Sequence, residues 1–223
     1  DTIDLKFPTR QTPGRAYYSD NDWFSAVDAF TRSAIMQKEK PARIIEVGSG
    51  FSSAVMLDTC RLAGLSTHLT FIEPSPERLF TLIKQDDEPR VTVIRDIVQN
   101  VAIDVFDQLE AGDILFIDSS HVVKVGSDVS WLLLVILPRL KPGVIVHVHD
   151  MFYPNSYPRD WLACGRAWNE SQMVRAFLVN NNRIEVTAFD AYAQNKFPQL
   201  FRERMPSFLA TPGQSLWLRV KGD

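Results

Sequence analysis

The chain has 223 residues, enough for one well-buried domain and too few for two complete ones. Its composition, 45% hydrophobic and 23% charged with a formal charge of -3, argues against disorder and against a general attraction to nucleic acid or anionic membrane. The longest apolar run, Trp131 to Pro138, is too short to cross a bilayer; no signal peptide is visible, and Cys60 and Cys164 form no CxxC pair, so a reducing, cytoplasmic setting is expected.

In chain order, residues 1 to 18 read as extended or loop-like, broken by Pro8, Pro13 and Gly14. Ser19 or Asp20 can cap a helix running to about Lys38, with Trp23, Phe24, Val27, Phe30, Ala34 and Ile35 as its apolar stripe. A strand at 44–47 leads into a helix at 52–62, and a strand at 68–73 into a helix capped by Ser75 with Pro76 at its first position. Strand 91–94, a short helix at 101–109, strand 113–118, a helix at 127–140 and strand 143–150 come next. The remainder reads as a helix at 169–180, a strand at 183–189, an irregular stretch and a last strand at 215–220. Strands alternating with helices at this spacing predict a doubly wound α/β fold, a parallel sheet with helices on both faces.

The segment from Ile44 to Ser53 is the most informative. Ile44, Ile45 and Val47 suit a strand covered on both faces, and Gly48 and Gly50 allow positive φ and close approach of a ligand to the backbone. A helix opening there would point free N–H groups at a nucleotide-like molecule. Glu46, just before the glycines, would repel a pyrophosphate and attract a cationic or amino-bearing ligand. Four more carboxylates follow or end strands: Glu73, Asp96, Asp118 and Asp150. In such sheets ligands lie beyond the carboxyl ends of the strands, where strand order reverses. Gathered on one edge, these charges call for a cationic or hydroxyl-rich ligand. Glu73 lies about 20 residues past the glycines, the interval at which an acidic residue holds ribose hydroxyls in dinucleotide-binding folds.

Through Glu46-Val47-Gly48-Ser49-Gly50 the chain resembles the class I S-adenosylmethionine-dependent methyltransferases, and the resemblance runs from about Ser19 to Val220. It implies a mostly parallel sheet of seven strands with the last antiparallel, 215–220 being well placed for it. It also implies that Gly48 and Gly50 pass under the methionine part of S-adenosylmethionine, that Glu73 binds the ribose, and that Asp96 and Ile97 sit at the adenine. Glu46, Ser49, Ser52 and Asp118 are counted with them as cofactor-binding. On this reading residues 1–40 are an N-terminal segment and helix, 41–150 the cofactor-binding half and 151–223 the acceptor-side half of one domain.

The later stretches, Asp118-Ser119-Ser120-His121 and Lys141 to Asp150, look like the branch of macrolide-sugar and glycan O-methyltransferases. Carried over, Asp118 and Asp150 would be divalent-cation ligands and His121 the general base, since an alcohol must lose its proton as it attacks a methyl group. His149 stands where that branch has an acidic residue, so it is either a third ligand or a structural partner of Asp150; imidazole suits a transition metal, or no metal at all, better than magnesium. His147 alternates with Val146 and Val148 and is expected to bond within the fold. The aromatic loop 151–168, with Tyr153, Trp161, Trp168, Arg159 and Arg166, could wall an acceptor pocket, pack onto the domain, or form an interface, including one between copies of the chain. Two other functions stay open: an NAD(P)-dependent oxidoreductase, disfavoured by Glu46 and by Ser53 in place of a third glycine, and a non-catalytic cofactor-fold module in a glycan-building complex.

Overall fold

The computed structural model describes residues 6–154 and 156–222; the first five residues of the expected N-terminal loop lie outside them. Seven strands form one sheet: β1 Arg43–Val47, β2 His68–Ile72, β3 Val91–Ile94, β4 Ile114–Ile117, β5 Ile145–Val148, β6 Ile184–Phe189 and β7 Leu216–Val220. Their order is β3-β2-β1-β4-β5-β7-β6. β7 runs antiparallel to both β5 and β6, and every other pairing is parallel. Strand order therefore reverses between β1 and β4, which locates the ligand crevice at their carboxyl ends.

Among the described residues the α-helices are α1 Ala26–Glu39, α2 Phe51–Ala63, α3 Glu77–Leu82, α4 Ile103–Asp107, α5 Asp128–Trp131, α6 Arg159–Ala163, α7 Glu170–Leu178, α8 Asp190–Lys196 and α9 Pro198–Arg204. The core divides by sheet face. Ile45, Val47, Leu115, Ile117, Val146 and Val148 pack with Val129, Leu132, Ile136 and Val174 from the α5 and α7 side. Ile44, Ile114, Ile145 and Trp217 pack with Met36, Met56 and Leu57 from α1 and α2. The alternation of side chains along each strand makes this division.

Five local expectations are corrected. Helix α1 starts at Ala26 with Ser25 as its cap, not at Ser19 or Asp20. Asn21 holds the preceding residues in a turn, its side-chain oxygen accepting from the N–H groups of Trp23 and Phe24 at 2.9 and 2.8 Å, a local bond that competes with helix formation. The buried face of α1 is Val27, Asp28, Ala29, Arg32, Ser33 and Met36, while Trp23 is 63% exposed. Ser75 does not cap α3: Pro76 occupies that position, and the Ser75 N–H is taken by Glu73. The helix expected over 127–140 keeps its Ser127 cap but passes through a π turn at Leu132–Ile136 and a tighter turn at Leu137–Arg139, where Pro138 cannot donate. The stretch read as irregular holds α8, α9 and a short turn of helix whose Phe208 packs on Phe30.

Candidate active site

The turn after β1 is tight for a steric reason. Gly48 has φ +82°, and a Cβ there would stand 2.2 Å from the Asp118 carbonyl oxygen. Only glycine permits both the left-handed backbone and the close approach of the β1 and β4 ends. Gly50 differs from the expectation of positive φ. Its backbone is extended, with φ 170°, and a Cβ would meet only the Arg78 side chain at 3.8 Å. The space beside Gly50 is thus open, as a ligand crossing the turn requires. Glu73 ties the turn to β2, accepting from the Ser49 N–H at 3.0 Å and the Ser75 N–H at 2.9 Å. Asp96 and Ile97 lie exposed beyond β3, the Asp96 carboxylate accepting from the Ile97 N–H at 2.7 Å and from Asn100 at 2.9 Å.

Glu46 is not the open anion that the sequence suggested. It is fully buried, accepts hydrogen bonds from Ser52 at 2.6 Å and from Ser53, and lies 3.6 Å from the Arg32 guanidinium. Its charge is compensated from within, and the Ser52 hydroxyl points inward with it. Strand register explains the arrangement. Glu46, Phe116, His147 and Trp217 are successive partners across β1, β4, β5 and β7, and Arg32 from α1 lies over this row. Its guanidinium carbon is 3.7 Å from the Phe116 ring centroid, and its Nη2 donates to His147 Nδ1 at 2.8 Å. Because arginine can only donate, His147 is neutral, with its proton on Nε2 facing the Ser215 hydroxyl at 2.7 Å. Burial, then the positive Arg32 and His149, hold its pKa well below the ordinary histidine value. Burial pushes the Glu46 carboxyl up to about 7 against the opposing pull of Arg32 and the two serines.

The second cluster lies beyond β4 and β5. His121, at φ +59°, and Asp150, at φ +56°, are held in left-handed turns. His121 is buried, with Nδ1 2.7 Å from Glu170 Oε2 and Nε2 3.2 Å from Asp150 and 3.4 Å from Asp118. Ser119 donates to the other Glu170 oxygen at 2.9 Å. Burial opposes a charge on His121, but hydrogen bonds to Asp118 and Glu170 outweigh it and push its pKa up to about 10. The Trp168 ring lies over His121 with centroids 4.1 Å apart, and Trp161 and Arg166 extend this surface. His149 is 2% exposed, and neither of its ring nitrogens has a hydrogen-bond partner. One ligand atom each from Asp118, His149 and Asp150 lies within 4.8 Å of the others. Two carboxylates and an orphaned imidazole form a donor set that fits a divalent cation.

Of the sequence-predicted residues, then, Asp118, His121, His149 and Asp150 come together, Gly48, Ser49, Gly50 and Glu73 form the adjoining turn, Asp96 and Ile97 extend the same edge, and Glu46 and Ser52 lie behind it. Tyr17 is wholly buried and donates to the Phe24 carbonyl at 2.8 Å, so it seals the core. Glu170, Arg32 and Asp28 were not anticipated. Glu170 could have been suspected as an acid at the start of a helix following the aromatic loop; nothing local in α1 marks Asp28 or Arg32 as buried.

Comparisons with known proteins bear on the fold and on the central segment of the chain. Residues 45–151 match the family model described as a methyltransferase domain. The chain's fold likeness to solved structures extends beyond that segment. CmcI with SAH is 14% identical, covering 96% of this chain and 88% of that one at a TM-score of 0.55. A putative caffeoyl-CoA O-methyltransferase from Staphylococcus aureus is 14% identical, covering 91% and 87% at 0.56. TomG from Streptomyces achromogenes, in complex with SAM, is 15% identical, covering 89% and 81% at 0.53. An uncharacterized protein from Archaeoglobus fulgidus is 33% identical over 98 residues, and the chain spans 42% of that curated relative's length. The matched segment contains every residue of the glycine turn and the Asp118, His121, His149 and Asp150 cluster. Asp28, Arg32, Trp168 and Glu170 lie outside it.

Proposed function

We propose that this protein is an S-adenosylmethionine-dependent O-methyltransferase acting on a hydroxyl group of a small molecule or glycan. The observation that carries the reading is the close approach of Gly48 to the Asp118 backbone, which sets the glycine turn directly beside the strand end that begins the His121 cluster. A cofactor lying over Gly48 and Gly50, with its ribose at Glu73 and adenine at Asp96 and Ile97, presents its methyl group to that cluster. Three of the similar solved structures are of proteins named with SAM, SAH or Mg and SAM bound, which supports the same cofactor here.

Methyl transfer needs little covalent help, because the sulfonium is already activated; the protein aligns the nucleophile and excludes water. The acceptor oxygen attacks the methyl carbon, the carbon–sulfur bond breaks, S-adenosylhomocysteine forms, and the hydroxyl proton passes to His121 Nε2 in the fraction of the protein whose imidazole is neutral. Glu170 serves this step by holding the proton on Nδ1 and so leaving Nε2 toward the acceptor. Trp168 and Trp161 line this side of the cluster with the Arg166 guanidinium over both rings, an aromatic and cationic surface suited to a sugar or aryl group. Asp118, His149 and Asp150 would hold a divalent cation. Such an ion would supply Lewis-acid polarisation of the acceptor hydroxyl.

Calorimetry with S-adenosylhomocysteine and with NAD tests the cofactor; uptake of the first and not the second is expected. Methyl transfer across a panel of hydroxyl acceptors then tests the reaction. His121→Ala should lower turnover at least about 100-fold while leaving S-adenosylhomocysteine affinity within about threefold. Correctly folded protein that takes up no S-adenosylhomocysteine would overturn the reading.

A further inference from the structure

We propose that Asp28, on helix α1, is a positioning residue for the cation site: it fixes His149 with Nε2–H toward α1 and Nδ1 toward Asp118 and Asp150, and the imidazole so held selects a transition-metal dication over magnesium. This rests on the reading that Asp118, His149 and Asp150 bind a cation, and it assigns a task to a residue outside the matched methyltransferase segment.

The geometry is asymmetric about the His149 ring. Nδ1 lies 3.7 Å from Asp118 Oδ1 and 3.9 Å from Asp150 Oδ2, while Nε2 lies 3.9 Å from Asp28 Oδ2. None of these is a hydrogen bond. An imidazole buried with both nitrogens unpaired is destabilising unless something else satisfies it. Donors about 2.1 Å from a common ion lie about 3 to 4.2 Å apart, so the Nδ1 side has a spacing that one ion would bridge. On the other side, Nε2 needs to move only about 1 Å to donate to Asp28.

Asp28 itself cannot swing away. Its Oδ1 accepts from the Ser215 hydroxyl at 2.6 Å and the Gln214 N–H at 2.8 Å, and its Oδ2 from the Ser25 hydroxyl at 2.5 Å. The Phe24 ring, 4.9 Å from that of His149, limits rotation of the imidazole. A ligating histidine whose second nitrogen donates to a fixed carboxylate is the arrangement by which proteins set tautomer and ring orientation at a metal. One nitrogen donor among oxygens favours Mn2+, Co2+ or Fe2+ over Mg2+, which prefers an all-oxygen shell.

The experiment is calorimetric titration of chelator-treated protein with Co2+, Mn2+ and Mg2+, using wild type, Asp28→Asn and His149→Asp. Wild type should bind Co2+ and Mn2+ at least tenfold more tightly than Mg2+. His149→Asp should cut the preference for Co2+ over Mg2+ at least tenfold and abolish the nitrogen contribution to the Co2+ visible spectrum. Asp28→Asn should weaken Co2+ and Mn2+ about 10- to 100-fold with S-adenosylhomocysteine affinity unchanged. If Asp28→Asn does not fold, Ser215→Ala, which loosens Asp28, should weaken Mn2+ severalfold. Equal Mg2+ and Mn2+ affinity in wild type, or unaltered ion affinity in the folded Asp28 or Ser215 variant, overturns this inference and leaves the cation site standing. Wild type that takes up S-adenosylhomocysteine but no cation overturns the cation reading and this inference with it.

Discussion

Gly48 and Gly50 make opposite demands, and substitution separates them. Gly48→Ala would place a methyl group into the Asp118 carbonyl and force a left-handed backbone on alanine, so a loss of about 2–4 kcal/mol in denaturant unfolding is expected. Gly50→Ala faces neither problem, since its backbone is extended and the space around it is open. It should unfold within about 1 kcal/mol of wild type yet lose most S-adenosylhomocysteine binding, as read by calorimetry. Unchanged binding in Gly50→Ala would mean that no ligand crosses the turn. Glu46 gives a pH signature at the same scale. Its folded-state pKa, raised to about 7, exceeds that of the unfolded chain, so between about pH 4.3 and that value the folded state holds more protons. The Glu46 contribution to stability is therefore fully present below that window and declines as pH rises through it. Glu46→Gln should flatten this part of the stability curve, which chemical denaturation from about pH 4 to about pH 8 would measure.

At the scale of elements, α1 is docked by charge as much as by apolar contact. Arg32 bridges Glu46 and His147 and lies on Phe116, and all of these are buried. Removing one partner of such a network leaves an uncompensated charge, which typically costs about 3–5 kcal/mol. Arg32→Met is expected to lose stability in that range by urea unfolding, and adding Glu46→Gln should restore part of it, a coupling that independent sites would not give. This docking also marks the limit of legibility in the sequence. The strands, their order along the chain and the acidic edge were readable, because period-two patterns and glycine turns are local signals. The stripe on α1 was misjudged because Trp23 and Phe30 looked like core and Arg32 like surface. What buries Arg32 is the register of four strands distant in sequence, and that register leaves no trace within α1. Glu46 was misread for the same reason: its partner comes from another element.

For the whole molecule, the consequence is that both ends of the chain meet behind the candidate site. β7 lies between β5 and β6, and its neighbour Ser215 joins His147 to Asp28. Leu216, Trp217, Leu218 and Val220 are each almost wholly buried, packing against both faces of the core. At about 1.5–3 kcal/mol for each such side chain, deleting the strand removes about 6–12 kcal/mol, comparable with the total stability of an ordinary domain at about 5–15 kcal/mol. Its loss would also open two sheet edges, on β5 and β6, with unpaired backbone groups. A chain ending at Gly213 should therefore show no cooperative thermal transition and should bind neither S-adenosylhomocysteine nor a divalent cation, although every residue of the glycine turn and the His149 cluster is retained. Calorimetric scanning of that truncation checks the point: a cooperative transition with ligand uptake would mean that residues 45–151 and their helices form the site without the closing strand.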